Sequence, residues 1–120
     1  MVMLKSAASA VAVFGGSVLL NYRGYSVALP ATGALTLGRS PACDLVIASQ
    51  LASHNHATVT RGEGVALLSD QSINGTFVRF DSGIKLHLKR QSAPLQGSGM
   101  LSLGGEDLFT GEHLVQFILG

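Results

Sequence analysis

Apolar and polar residues alternate in short runs along most of this chain, and helical periodicity is scarce. Ser17–Tyr22 and Tyr25–Leu29 flank Arg23-Gly24, which predicts a tight hairpin. Ala34–Gly38 follows a turn at Pro30–Gly33, and Leu45–Ile47 is short and apolar. His56–Thr60 and Val65–Ser69 flank Arg61-Gly62-Glu63-Gly64, a second hairpin, while Thr76–Arg79 and Ile84–Leu88 flank Asp81-Ser82-Gly83. Leu101–Leu103 and Leu114–Leu119 close the series. About ten strands at this spacing, with glycines at the corners, predict an all-β, antiparallel sandwich. The long loops fall at Ser40–Asp44, Ala48–Asn55 and Asp70–Gly75, where a rigid sandwich would present a site.

Composition narrows the choice of partner. The 120 residues fit one domain, and 47% hydrophobic content is enough for a real core. Charged residues make up 12%, the net charge is +1, and the lysines and arginines are scattered. That argues against nucleic acid as a partner, because a nucleic-acid face must neutralise several phosphates at once. A point-like anion site needs only one or two cations and stays open. Cys43 is the single cysteine, so no internal disulfide forms, and no apolar run reaches the length of a membrane span. The expected compartment is the cytoplasm, with no membrane partner. Met1–Lys5 followed by Ser6–Phe14 reads as a weak signal peptide, a linker or an added edge element. Gly15-Gly16 separates it from the first strand, so residues 1–15 are expected to be an extension and residues 16–120 the domain.

The loops carry the candidate chemistry. Gly38-Arg39 follows an apolar strand, Ser53-His54-Asn55-His56 lies in a polar loop, and Asn74-Gly75-Thr76 opens another strand. Arg39, Ser53 and Asn74 supply a cation, a hydroxyl and an amide, the donor set that a phosphate dianion needs. Each also has a plainer reading: Arg39 as a surface cation, Ser53 as a loop cap, Asn74-Gly75 as a turn. His54-x-His56 has no Cys, His or Glu partners at ligand spacing, which argues against a metal. No Gly-x-Ser-x-Gly elbow exists and nothing pairs a base with Ser53, so no enzyme or cofactor is expected. Gly97–Gly105 lacks the Lys-Ser/Thr ending of a phosphate-binding loop and reads as turns.

In their order and spacing, Leu37–Ile47, Ser53–Ala57 and Leu68–Val78 resemble a forkhead-associated (FHA) domain, and the flanking strands extend the likeness over roughly Ser17 to Leu119. The resemblance implies an FHA-type sandwich of about ten or eleven strands that binds phosphothreonine-containing proteins without chemistry. It carries Arg39 over as the phosphate cation, Ser53 as the hydroxyl donor and Asn74 as the amide gripping the ligand backbone. Gly38, His56, Gly75 and Thr76 become structural motif positions, with the His56 ring tying the binding loops together. His54 departs from the arginine usual in the family and is expected to donate one bond to phosphate or to touch nothing. Ile73 stands where many members have a hydroxyl residue, and Ser72 beside it either replaces that hydroxyl or packs. Ser72, Ile73, Arg79 and Lys85 are the candidates for selectivity beyond the phosphate.

Tyr22-Arg23-Gly24, Leu95–Gly99 and Leu103-Gly104 are similar to FHA domains beside bacterial class III adenylate cyclases. The implied partners are substrates of a Ser/Thr kinase and a nucleotide cyclase. The alternative expectation, motivated by His54 and Ile73, is a degenerate FHA domain that binds protein without needing phosphate.

Overall fold

The structure, a computed structural model, describes residues 17–30, 33–61 and 65–120. The expected extension at 1–15 and the turn residues 62–64 lie outside the described residues. Eleven strands occur among them: β1 Val18–Tyr22, β2 Tyr25–Ala28, β3 Ala34–Gly38, β4 Leu45–Val46, β5 Ala57–Arg61, β6 Ala66–Asp70, β7 Thr76–Phe80, β8 Lys85–Leu88, β9 Ser92–Leu95, β10 Ser98–Leu103 and β11 Val115–Leu119. They form a five-stranded sheet in the order β9-β6-β5-β3-β4 and a six-stranded sheet in the order β2-β1-β11-β10-β7-β8. This is the all-β sandwich that the alternation predicts. Period-two burial turns Leu35 and Leu37, Val59, and Leu68 of one sheet onto Val18 and Leu20, Val78, Leu101 and Phe117 of the other.

The predicted strands all occur, with no end shifted by more than three residues. The Arg23-Gly24 hairpin forms with both residues at positive φ, 50° and 82°, as a two-residue turn matched to strand twist requires. Three features differ from the sequence reading. β9 was not predicted, because Pro94 sits inside it; the strand lies at a sheet edge, where a missing N–H is tolerated. The glycine-rich stretch 97–105 is not all turn. Gly99 lies within β10, where any side chain would strike the Arg79 carbonyl and the Phe117 ring. Finally, β4 runs parallel to β3 rather than antiparallel.

That parallel pair matters for the site. Residues 39–44 double back beside β3 and are pinned there. The Thr36 N–H and hydroxyl both donate to Asp44 Oδ2, at 2.8 and 3.0 Å, and the Asp44 N–H donates to Thr36 Oγ1 at 2.9 Å. Arg39 therefore sits at the start of a tied loop rather than on a free arm.

Phe117 is fully buried and meets Phe80 edge to face, with 5.7 Å between centroids. Replacing it with alanine empties the middle of the core. Phe117→Ala is expected to lower stability by about 3–5 kcal/mol, measured from urea unfolding midpoints.

Candidate functional site

The three loops picked out by the sequence converge at one end of the sandwich, and backbone bonds lock them together. The N–H groups of Arg39 and Ser40 donate to the carbonyls of Ser53 and His54, at 3.0 and 3.1 Å. The His56 N–H donates to the Leu37 carbonyl, and the Gln71 N–H donates to the His56 carbonyl. This approach is so close that a Cβ on Gly38 would lie 2.1 Å from the His54 oxygen, which is why glycine stands there. Cys43 adds a bond from its buried thiol to the same oxygen, and burial pushes that thiol's pKa up.

His56 is fully buried beneath the loops and bridges two of them. The Ser53 N–H donates to Nδ1 at 2.9 Å, so Nδ1 carries no proton, and Nε2–H donates to the Gly75 carbonyl at 2.9 Å. The same carbonyl accepts the Gly104 N–H at 3.0 Å, which draws the loop after β10 into the cluster. Gly75 has φ +96° and abuts His87, so it satisfies both the backbone conformation and the space.

Asp70 is the residue that the sequence reading missed. It is buried at the end of β6, and its carboxylate accepts the Ser72 and Thr76 hydroxyls at 2.7 Å each, the Ser72 N–H at 3.2 Å and the Arg90 N–H at 2.8 Å. Asp70-x-Ser72 is a signal for a side-chain-closed turn, and that was the available clue. The Ser72 hydroxyl donates to Asp70 and accepts the Gly75 N–H at 2.7 Å. With 1% exposure, Ser72 is turned inward, so its reading as a selectivity residue gives way to a structural one. Thr76 is also buried, and its hydroxyl closes on the same carboxylate.

Above this frame, the expected ligand-facing groups reach solvent. Arg39 is exposed, and its Nε–H donates to the Ala52 carbonyl at 2.8 Å, which fixes the guanidinium over the Ser53 loop. Its two Nη groups have no protein partner among the described residues. Ser53 Oγ accepts the Ile73 N–H at 3.2 Å, leaving its own proton to give. Asn74 Nδ2 donates to the Leu51 carbonyl at 3.1 Å, leaving Oδ1 and the second N–H. The His54 ring is exposed beside them. Ile73 is 71% exposed at the loop tip. Arg79 is not in this cluster: it lies four residues beyond Gly75 on β7 and bonds the Leu108 carbonyl. No group of three or more metal-ligating side chains occurs among the described residues.

The two sheets and the loop-borne donors define a β-sandwich with a donor-rich rim at one end. The FHA domain model matches residues 35–104, more than half of the chain, and the chain belongs to that family. A probable serine/threonine-protein kinase, fhkA, of Dictyostelium discoideum is 33% identical over 79 residues, covering 58% of this chain. The chain spans only 13% of the length of that curated relative. Among solved structures, the FHA-1 domain of Mycobacterium tuberculosis Rv1747 superposes with a TM-score of 0.68 at 18% identity, covering 88% of this chain and 97% of that one. The N-terminal FHA domain of S. cerevisiae Rad53p, solved with a phosphothreonine peptide, gives 0.63 at 22% identity, covering 85% and 90%. No helix among the described residues is long and apolar enough to cross a membrane.

Two titrations set the acid stability of this frame. Burial pushes the pKa of His56 below the ordinary imidazole value of 6.5, and the Gly75 carbonyl and the Asp70 charge oppose this only in part. Burial pushes Asp70 up, but the Arg90, Thr76 and Ser72 donors outweigh it and hold the carboxyl below the usual 3.8. Both folded-state values are depressed, so both contributions are complete above the unfolded values and are lost as pH falls. Stability is expected to drop first below about pH 6.5 through His56 and again below about pH 3.8 through Asp70, which urea unfolding across pH would show as two separate losses. At neutral pH, Asp70→Ala strands four donors, two hydroxyls and two backbone amides. It is expected to cost about 2–4 kcal/mol, whereas Arg39→Ala should leave stability within about 0.5 kcal/mol.

Proposed function

We propose that this chain is a phosphothreonine-peptide-binding module in Ser/Thr kinase signalling, working in the cytoplasm without cofactor or catalysis. The observation that carries this reading is the convergence of unspent donors on one rim: the Arg39 Nη groups, the Ser53 hydroxyl and the Asn74 amide. Each of these side chains spends one bond on the protein to hold its position. The groups left over are the ones a phosphate and an extended backbone consume. Arg39 supplies a planar fork to two phosphate oxygens, Ser53 donates to a third, and Asn74 pairs with the peptide backbone beside the phosphoresidue. Prior fixation lowers the ordering cost of binding, and a short peptide held this way is expected to bind in the micromolar range. The complexes of FHA relatives with phosphothreonine peptides support this reading. Coupling to a nucleotide cyclase is proposed on the flank motifs Tyr22-Arg23-Gly24, Leu95–Gly99 and Leu103-Gly104 alone.

Ile73 favours a second reading. A 71% exposed isoleucine, with Leu51 at 43% beside Asn74, gives the rim an apolar lip suited to a protein surface bound without phosphate. Titration of phosphothreonine, phosphoserine and unphosphorylated forms of one peptide library separates the two. Selective phosphothreonine binding, weakened about ten- to a hundredfold by Arg39→Ala, establishes the reader. Binding indifferent to phosphate establishes the second reading. His54→Arg is expected to tighten phosphopeptide binding, and an unchanged affinity would reject a phosphate role for that position.

A further inference from the structure

The outer face of β7 and β8 carries a charge arrangement that folding alone does not favour. Arg79 and Lys85 are direct partners across the antiparallel pair, and like charges so placed repel. Neither forms an ion pair among the described residues. Instead, both cations lie over the Phe109 ring, with the Arg79 guanidinium carbon 4.2 Å and Lys85 Nζ 5.2 Å from its centroid. Phe109 is itself 63% exposed, and its loop is held firmly. Arg79 Nε and Nη2 donate to the Leu108 carbonyl, the Asp107 carboxylate accepts the Phe109 and Thr110 N–H groups, and the Glu106 carboxylate accepts the His113 N–H. Asp107 is the opposite charge that Lys85 feels, and it is already occupied as a turn cap.

The next cross-strand pair on this face toward the loops is Phe77 and His87, with rings stacked at 3.9 Å and 10°. His87 abuts Gly75, next to Asn74. A continuous strip of three rings and two cationic side chains thus runs from the recognition rim to Phe109. From Gly75 to Arg79 is four strand residues, about 13 Å, the length of about four residues of an extended peptide.

We propose that this strip docks an acidic stretch of the phosphorylated partner, about four residues from the phosphothreonine, with carboxylates on Arg79 and Lys85 and apolar contact on Phe109. The register rests on the phosphothreonine reading; the strip itself does not. Carboxylates relieve the Arg79–Lys85 repulsion, while a neutral segment leaves it in place.

The test uses phosphothreonine peptides carrying a Glu-Asp-Glu cluster centred four residues before or four residues after the phosphoresidue, and versions with serine in its place. One acidic series is expected to bind about three- to tenfold tighter than its serine version. That advantage should vanish in Lys85→Gln and shrink in raised salt, with the affinity of the serine version unchanged. Amide NMR with an unphosphorylated acidic peptide keeps the two readings apart: it should shift the signals of residues 77–79, 85–87 and 109. If phosphopeptides fail to bind but these signals move, the reader falls and the strip stands. Equal affinity for acidic and serine peptides on both sides, with these signals unmoved, overturns the strip.

Discussion

The structure of the site depends on one buried imidazole. His56 accepts from Ser53 and donates to Gly75, so a single rigid ring fixes the separation between two loops far apart in sequence. The other tautomer would lose both bonds, and a second proton on the ring would break the one from Ser53. A full hydrogen-bond complement also offsets the cost of holding a polar ring out of water, which would otherwise disfavour its burial. Asp70 plays the same part on the far side of the turn, where four donors hold its carboxylate charged in a buried position.

This frame explains why the rim is rich in donors that are positioned yet unspent. Arg39, Ser53 and Asn74 each use one bond on the loop that His56 holds: on the Ala52 carbonyl, the Ile73 amide and the Leu51 carbonyl. Much of the side-chain entropy that a ligand would otherwise have to remove is already lost in the folded protein. Pre-organisation of this kind suits a small anion, which offers few contacts and no large apolar area. The exposed Ile73 and the cationic strip on β7 and β8 extend the rim in two directions with different chemistry, one apolar and one basic.

Much of this was legible in the chain. Period-two alternation placed the strands, because side chains on successive residues face opposite sides of a sheet whatever its partners. Arg23-Gly24 marked its hairpin, because few residues tolerate positive φ. The motif residues Gly38, Arg39, Ser53, His56 and Asn74 were picked out by type and order, and the structure brings them to one end of the sandwich. Pro94 hid β9, because proline signals against a strand unless the strand is known to be at an edge. Gly99 hid half of β10, because its glycine answers to the Phe117 ring and the Arg79 carbonyl rather than to a turn.

By itself, then, the sequence determined local conformation and the inventory of chemical groups: strand periodicity, turn positions and the donors on the loops. Only the tertiary structure decided which groups face solvent and which face inward. Ser72 and Ser53 are the same residue type in similar polar loops, yet one closes on Asp70 and the other opens to solvent. The repulsive pairing of Arg79 with Lys85, and the ring that sits beneath both, likewise depends on strand register and on a loop some thirty residues away. Burial and pairing are properties of long-range packing. Local sequence carries no signal for them, because the partner that settles each one arrives from elsewhere in the chain.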